Sequence, residues 1–185
     1  MGNFLLQGLL KLQKILVLFL LLIGIVSCEN ENKTKDEDKE PIVSTFYLIR
    51  HAEKDRTDSN DLDPELNQKG LGRAIRWAEI FDKVELDAIF STDYERTTMT
   101  AAPTSVKKNI DIEFYNFSAL DVEAFKKENL GREVLVVGHS NTTPTLANRL
   151  LEEEQYPNME DDDNSTLFII RFVDDQATAI RLKMD

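Results

Sequence analysis

The sequence has very little cysteine and histidine, with one cysteine and two histidines among its 185 residues. A single cysteine cannot form an internal disulfide, which excludes a disulfide-stapled fold. Two histidines 88 positions apart, without a His-Glu-x-x-His pair or a cysteine cluster, do not make a zinc site. Ser140 lies outside a Gly-x-Ser-x-Gly turn and no third histidine exists to serve as its base, which excludes a serine triad. We therefore expect neither a metal nor another cofactor.

Basic residues are also scarce, because 22 lysines and arginines face 34 aspartates and glutamates and the net charge is -12. Nucleic acids and anionic membrane surfaces are bound through a basic face, so neither is expected as the main partner. Any anionic substrate must find a local positive pocket in a negative protein.

The sequence has only 7 glycines, and two of them lie close together in Gly70-Leu71-Gly72-Arg73-Ala74. This segment lacks the third glycine or alanine of a dinucleotide-binding loop and does not follow a strand. We interpret Gly70 and Gly72 as helix-start and packing positions.

The N-terminus contains a long apolar run of twelve residues, Ile15 to Val26, preceded by Lys11 and Lys14. This length fits a secretory signal and falls short of the ~20 residues of a membrane-spanning helix. The run ends in Ile25-Val26-Ser27-Cys28, which resembles the lipobox of bacterial lipoproteins. The resemblance implies that residues 1–27 are removed and that lipid on Cys28 holds the protein in the bacterial cell envelope, at the periplasmic face or the cell surface. The alternative is an uncleaved signal anchor with an incidental cysteine.

An acidic tether is predicted for residues 28–41, because residues 29–40 contain no apolar side chain. Removal of residues 1–27 takes away two lysines and no acidic residue, which leaves 20 basic and 34 acidic residues and a net charge of -14. The globular domain is expected over residues 42–185.

Strands and helices alternate within this domain. The patterns predict strands at 45–50, 87–91, 110–115 and 134–138, helices at 67–82, 94–102, 121–129 and 142–151, and a hairpin of 166–173 and 177–184 joined by 174–176. Alternating units of this length imply a three-layer α/β/α sandwich with a mainly parallel sheet.

Two of these helices carry more detailed predictions. The inner face of the first is expected to contain Leu71, Ile75, Ala78 and Ile80 or Phe81. The second is expected to be capped by Ser91-Thr92-Asp93 and to end at or near Pro103.

Each histidine follows an apolar, β-branched run. His51 comes after residues 46–50 and His139 after residues 134–138. Such runs are typical of buried parallel strands, and open α/β sheets bind their ligands at the carboxyl edge, where both histidines are placed. The pair therefore predicts a single site.

Four segments, in this order, carry a family resemblance: Arg50-His51-Ala52-Glu53, residues 63–74 with the sequence DPELNQKGLGRA, residues 91–97 with the sequence STDYERT, and Val137-Gly138-His139-Ser140-Asn141. Together they resemble the histidine phosphatase superfamily, the phosphoglycerate mutase-like group, in its small phosphatase branch. The resemblance spans roughly residues 45–151 and implies a phosphoglycerate mutase-like fold.

The resemblance implies roles for four residues. His51 is expected to be the nucleophile, which takes the phosphoryl group of a small phosphorylated substrate through a neutral imidazole nitrogen. Arg50 and Arg96 are expected to grip the phosphoryl oxygens, because a guanidinium matches phosphate geometry and stays charged. His139 is expected to be a further donor to phosphate. The expected activity is metal-independent hydrolysis of phosphomonoesters or phosphoramidates.

The proton donor for the leaving group stays open. Many relatives use an acidic residue from a substrate loop or an aspartate directly after the second histidine, where this chain has Ser140. Glu53 and Asp121 are candidates by position. Without an acid, substrates with good leaving groups are expected to be preferred.

Other interpretations stay open as well. The chain is alternatively a catalytically idle lipoprotein that binds phosphorylated ligands, or a phosphoglycerate mutase-type phosphotransferase, although it lacks the length for inserted substrate loops. The acidic segment 152–163 lacks the glycine and spacing of a calcium-binding EF-hand and is expected to be a solvated loop or a rim that screens substrates. The substrate, the oligomeric state and the choice of inner or outer membrane are not predicted.

Overall fold

The computed structural model describes residues 40–184. The predicted signal peptide, Cys28 and all but the last two residues of the predicted tether lie outside the described residues. Within residues 40–184, no helix combines the length and the apolar character needed to cross a membrane.

A six-stranded sheet forms the centre of the domain. Its strands, in chain order, are β1 (Val43–Arg50), β2 (Ala88–Ser91), β3 (Ile112–Phe114), β4 (Glu133–Gly138), β5 (Thr166–Val173) and β6 (Gln176–Lys183). Their order across the sheet is β3-β2-β4-β1-β5-β6. The pairs β3/β2, β2/β4 and β4/β1 are parallel, whereas β5 runs antiparallel to both of its neighbours. The predicted mainly parallel sheet with a closing hairpin is confirmed.

Four helices cover the two faces of this sheet. They are α1 (Gln68–Ile80), α2 (Glu95–Lys108), α3 (Val122–Glu128) and α4 (Thr142–Leu151), with short 3-10 turns at Phe81–Lys83 and Phe117–Ala119. Successive residues of β4 point to opposite faces, so Val136 packs in a cluster with α3 and α4, while Val137 packs in a second cluster with α1 and α2. The result is the predicted α/β/α sandwich.

The buried face of α1 differs from the prediction. Leu71 and Ile75 are 37% and 55% exposed, whereas Ala78 and Phe81 are buried as expected. The buried residues of the helix are Gly70, Ala74, Trp77 and Ala78. This stripe has the spacing of one helical face, and the apolar pattern predicted a stripe rotated by about one position because it counted Leu71 and Ile75 and left out Trp77.

Helix α2 continues past Pro103 to Lys108, so the predicted end at this proline is wrong. Proline removes one backbone hydrogen bond, the one that would reach the carbonyl of Met99, and the rest of the ladder remains. Ala101 and Thr104, on either side of the proline, are fully buried, and α2 packs along α1. Burial of this face stabilises the last turns of the helix.

The sheet margins also differ slightly from the prediction. Strand β3 is shorter than the predicted 110–115, and β6 starts at Gln176 rather than at residue 177. The hairpin turn therefore contains two residues instead of three, and Asp174 adopts a left-handed backbone conformation with φ of 54°. Asp174 also accepts a hydrogen bond from the backbone N–H of Ile42 at 3.0 Å, which ties the turn to the start of β1.

Candidate active site

The carboxyl ends of β1 and β4 bring the two histidines together. Arg50 pairs with Gly138 in the parallel register, and the backbone N–H of His51 donates to the Gly138 carbonyl at 2.9 Å. The ring centroids of His51 and His139 are 5.6 Å apart. Together with Arg50 and Arg96 they line one cleft of about 830 Å³, so the structure gathers all four residues that the sequence singled out.

The hydrogen bonding of His51 defines its tautomer. Nδ1 lies 2.7 Å from the carbonyl oxygen of Ala52, which can only accept, so Nδ1 carries the proton and Nε2 keeps a lone pair. The backbone around the ring is fixed from two sides. Thr100 Oγ1 accepts from the Ala52 N–H at 2.8 Å, and Asn164 Nδ2 donates to the His51 carbonyl at 2.9 Å.

The electrostatic environment keeps both histidines neutral at pH 7. Burial, reinforced by the positive charges of Arg50 and Arg96, lowers the pKa of His51 to about 3, although the bond to Ala52 acts in the opposite direction. Burial and the charges of the two arginines lower the pKa of His139 to about 4. Neutral imidazole is the form that a nucleophilic histidine requires.

His139 is held by a chain of hydroxyl groups. Its Nε2 lies 2.9 Å from Thr92 Oγ1, which donates to Thr97 Oγ1 at 3.0 Å, and Thr97 Oγ1 in turn donates to the Thr92 carbonyl at 2.7 Å. Because Thr92 Oγ1 gives its only proton to Thr97, it must accept a hydrogen bond from His139, so Nε2 of His139 carries the proton. Its Nδ1 is then the acceptor 3.5 Å from Nη2 of Arg96. His139 therefore has no free N–H in this structure, whereas the sequence predicted a donor to phosphate.

Arg96 lies in the first turn of α2 and is held by a residue from a distant loop. Its Nη1 donates to Oδ1 of Asp63 at 2.9 Å, and its guanidinium lies over the ring of Tyr94 at 4.3 Å. The Asp63 carboxylate also accepts from the backbone N–H of Glu95 at 3.1 Å. The sequence analysis gave no role to Asp63 or Tyr94.

The predicted capping of α2 by Ser91-Thr92-Asp93 is wrong. Tyr94 is the N-cap residue and makes no side-chain capping bond, because the distant Asp63 supplies the acceptor instead. Ser91 and Thr92 use their hydroxyls elsewhere, on the Thr92 carbonyl and on Thr97.

Arg50 is buried, with only 3% of its side chain exposed, against the acidic segment. Its Nη1 donates to the backbone carbonyls of Glu160, Asp161 and Asp163 at 2.8 to 3.1 Å, and its Nη2 lies 3.3 Å from Oδ1 of Asp161. Within residues 40–184, Nε of Arg50 has no hydrogen-bond partner. The acidic segment therefore holds the guanidinium through Nη1 and Nη2, and Nε is left as a buried donor without a partner among the described residues.

The acidic segment is only partly the solvated loop that the sequence predicted. Asp163 is 8% exposed and accepts from the Thr166 hydroxyl at 2.7 Å, which fixes the start of β5. Asp161 is exposed, lines the cleft and bridges Arg50 to Arg56, with 2.9 Å to the latter. The last residues of the segment thus form a wall of the cleft.

Neither candidate proton donor has the required position and charge. Burial favours the neutral form of Glu53, but hydrogen bonds from Arg73 and Lys69 dominate and lower the pKa of this carboxyl to about 2. Asp121 caps α3 by accepting from the Ala124 N–H and does not line the cleft. Among the described residues, the carboxylates that line this cleft are Asp93 and Asp161. The sequence analysis named neither as a donor.

Aromatic side chains also line the cleft. Phe114, the last residue of the short strand β3, lines the cleft together with Tyr115 and Phe117, which follow it. Phe114 is 56% exposed, which leaves its ring free to contact a ligand. Nothing in the pattern of residues 110–117 distinguished these side chains from ordinary strand positions.

Comparison of the sequence with known proteins gives a family match to the first half of the domain. The family model of the histidine phosphatase superfamily (branch 1) matches residues 46–116, which include Arg50, His51 and Arg96. No curated protein matches the chain in sequence.

Three solved structures resemble this one in fold. A mycobacterial glucosyl-3-phosphoglycerate phosphatase has a TM-score of 0.59 and 14% identity, over 77% of this chain and 100% of that one. SixA from Agrobacterium tumefaciens, which is named as a phosphohistidine phosphatase, has a TM-score of 0.56 and 21% identity, over 75% and 97% of the two chains. A variant of phosphoserine phosphatase from Entamoeba histolytica, in complex with phosphoserine, has a TM-score of 0.56 and 15% identity, over 73% and 94%.

Proposed function

We propose that this chain, which belongs to the histidine phosphatase superfamily, hydrolyses small phosphomonoesters or phosphoramidates without a metal ion, through a phosphohistidine on His51. The observation that carries the proposal is the fixed tautomer of His51. Its Nδ1 donates to the carbonyl of Ala52, which leaves Nε2 unprotonated and able to attack phosphorus with its lone pair.

The reaction proceeds in two steps. Nε2 of His51 forms a bond to phosphorus while the bond from phosphorus to the leaving oxygen or nitrogen breaks, and the leaving group takes the electron pair and then a proton. Water then attacks the phosphohistidine, releases phosphate and returns the imidazole to its starting form. Donors of Arg50 and Arg96 face the phosphoryl oxygens, where negative charge is concentrated in both steps.

His139 can change its protonation when a phosphoryl group binds. In this structure its Nδ1 accepts from Arg96, and its proton lies on the side of Thr92. When a phosphoryl group takes over the Arg96 donor, Nδ1 loses this partner and is free to pick up a proton and to donate to the anion. This change gives His139 the donor role that the family resemblance implies.

The decisive experiment measures hydrolysis of 4-nitrophenyl phosphate by the full chain in detergent, with EDTA present. We expect turnover that falls at least a thousandfold in His51→Ala, and an acid-labile phosphate on His51 in rapidly quenched samples. Turnover that survives His51→Ala would contradict the mechanism. Tight phosphate binding without any turnover by the unaltered chain would support the idle ligand-binding alternative.

We propose further that lipid on Cys28 holds the enzyme in the bacterial cell envelope. The proposal rests on the sequence of residues 1–28, which combines two lysines, a twelve-residue apolar run and a lipobox-like end. Cells fed an alkyne-labelled palmitate should label the unaltered chain and not Cys28→Ala. Equal labelling of the two chains would contradict this anchoring.

A further inference from the structure

A second cleft, of about 660 Å³, adjoins the catalytic one. His51, Lys54 and Asp161 line both of them. Arg96 and His139, in contrast, line only the catalytic cleft. A substrate whose phosphoryl group lies at His51 therefore has room for a second group in a space that neither Arg96, on α2, nor His139, directly after β4, lines.

The cations around these two clefts are paired, with one exception. Lys69 lies 3.1 Å from Glu53, and Arg56 lies 2.9 Å from Asp161. Arg50 and Arg96 pair with Asp161 and Asp63. Within residues 40–184, the ammonium group of Lys54 makes no ion pair and no hydrogen bond. The chain has 34 acidic and 22 basic residues, so carboxylates are abundant, and yet this lysine in the lining of both clefts has no acidic partner within ion-pair distance in the described part of the chain.

The backbone of Lys54 is fixed in place. It forms an isolated bridge with Leu66, and its carbonyl accepts from Asn67 Nδ2 at 3.1 Å. Asn67 also caps α1 through the Gly70 N–H, so the position of Lys54 is tied to a helix. The side chain is half-buried, and burial together with the charges of Arg96 and Arg56 lowers its pKa. The backbone thus holds Lys54 near Arg96 and Arg56, and the carboxylate of Asp161 offsets only part of their positive charge. A bound anion would relieve the remaining repulsion.

We propose that Lys54 binds a second anionic group of the substrate, a carboxylate or a second phosphate, so that the preferred substrates are small phosphomonoesters that carry two anionic groups. This inference rests on the proposed phosphatase function. Arg50 and Arg96 already face the reacting phosphoryl group, whereas Lys54 lies where the second cleft begins. Lys54 is thus a specificity-determining residue rather than a third clamp on the reacting group.

The test compares three substrates that share one scaffold and have similar phenol leaving groups. They are phenyl phosphate, 3-carboxyphenyl phosphate and benzene-1,3-diyl bisphosphate, each assayed with the full chain in detergent. We expect the unaltered protein to show a KM about tenfold lower for at least one of the two doubly anionic substrates than for phenyl phosphate, because a hydrogen bond to a charged group contributes about this factor. The substrate with the lower KM identifies the second anion as carboxylate or phosphate.

The variants separate specificity from catalysis. Lys54→Met should abolish the preference, mainly through KM, so that kcat/KM falls about tenfold more for the preferred doubly anionic substrate than for phenyl phosphate, while Lys54→Arg should retain the preference. Lys83→Met is the control. It removes one positive charge from a side chain that is 92% exposed and lines neither cleft, so it should behave like the unaltered protein.

Two results would overturn the inference and leave the phosphatase function intact. One is the absence of any preference for the doubly anionic substrates, and the other is an equal loss on all three substrates in Lys54→Met, which would assign Lys54 to the reacting phosphoryl group. Failure to hydrolyse these three substrates and 4-nitrophenyl phosphate would instead overturn the proposed function, and this inference with it.

Discussion

The carboxylate of Asp63 lies 2.9 Å from Nη1 of Arg96 and thereby ties the loop after β1 to the first turn of α2. The same carboxylate accepts from the Glu95 N–H, so one side chain both caps the helix and orients the guanidinium. The geometry of Arg96, the arginine that we propose binds phosphate, thus depends on a residue 33 positions earlier in the chain.

Replacement of Asp63 tests this dependence. Asp63→Ala should lower kcat/KM for an aryl phosphate about tenfold, because Arg96 loses the partner that orients it, and should lower the free energy of unfolding by about 1 kcal/mol through loss of the cap. Asp63→Asn keeps an oxygen that can accept from Glu95 and should recover most of the stability. Kinetics and urea unfolding measure both effects. Unchanged kinetics in Asp63→Ala would show that Arg96 is oriented by other contacts.

The two neutral histidines make stability depend on pH. Both have a pKa in the folded protein below the value of about 6.5 in an unfolded chain, so between pH 7 and pH 5 the unfolded state binds protons that the folded state does not. The free energy of unfolding should therefore decrease as the pH is lowered, by about 1 to 2 kcal/mol for each histidine between pH 7 and pH 5.

Urea unfolding at the two pH values measures this loss. His51→Gln and His139→Gln should each reduce this pH-dependent loss of stability by the contribution of one histidine. The carboxyl groups titrate mainly below this pH range. An equal pH dependence in the unaltered protein and in both variants would contradict the lowered pKa values.

The exposed carboxylate of Asp161 lies 3.3 Å from Nη2 of Arg50, where a phosphoryl oxygen also needs a donor. Asp161→Asn removes the negative charge, while three backbone carbonyls still hold Nη1 of Arg50. We expect the KM for an aryl phosphate to fall about threefold, since an exposed charge contributes less than about 1 kcal/mol. Asp162→Asn, one residue further along the same segment, serves as the control. A higher KM in Asp161→Asn would show that Asp161 is needed to orient Arg50.

The leaving group should control the rate. Glu53 is held as an anion by Arg73 and Lys69, and Asp121 caps α3, so neither protonates the leaving oxygen. In a series of aryl phosphates, log kcat/KM should therefore fall steeply as the pKa of the phenol rises. A flat series would reveal a proton donor, and Asp93→Asn would then be the first variant to examine, because Asp93 also lines the cleft.

The sequence predicted the strand ends well because burial on both faces of a parallel sheet leaves an unmistakable apolar run. Residues 46–50 and 134–138 placed Arg50, His51 and His139 at one edge, and the structure gathers them with Arg96. These positions follow from local pattern and from the rule that parallel strands share a carboxyl edge.

The remaining details depend on contacts between distant segments. The ion pair of Asp63 with Arg96, the wall that residues 160–163 form against Arg50 and the continuation of α2 past Pro103 all arise from tertiary packing. The buried face of α1 was mispredicted for the same reason, since Leu71 and Ile75 are as apolar as the residues that are actually buried. Local apolar pattern does not distinguish the two faces when each carries large side chains.

Gly70 supplies the sharpest test of this packing, because it faces the backbone of Glu53, two residues after His51. A Cβ at this position would overlap the carbonyl oxygen of Glu53, and the approach of α1 to the segment after His51 depends on its absence. Gly70→Ala should therefore lower the free energy of unfolding by about 3 kcal/mol or more, as overpacking against backbone does.

Gly72 is the matched control, two residues further along the same helix. A Cβ there would meet nothing within 4 Å, so Gly72→Ala should raise the free energy of unfolding by about 0.5 to 1 kcal/mol, the ordinary gain of alanine over glycine inside a helix. Urea unfolding of the two variants should move the midpoint in opposite directions. Equal stabilisation by both substitutions would show that α1 does not approach Glu53 as closely as the structure places it.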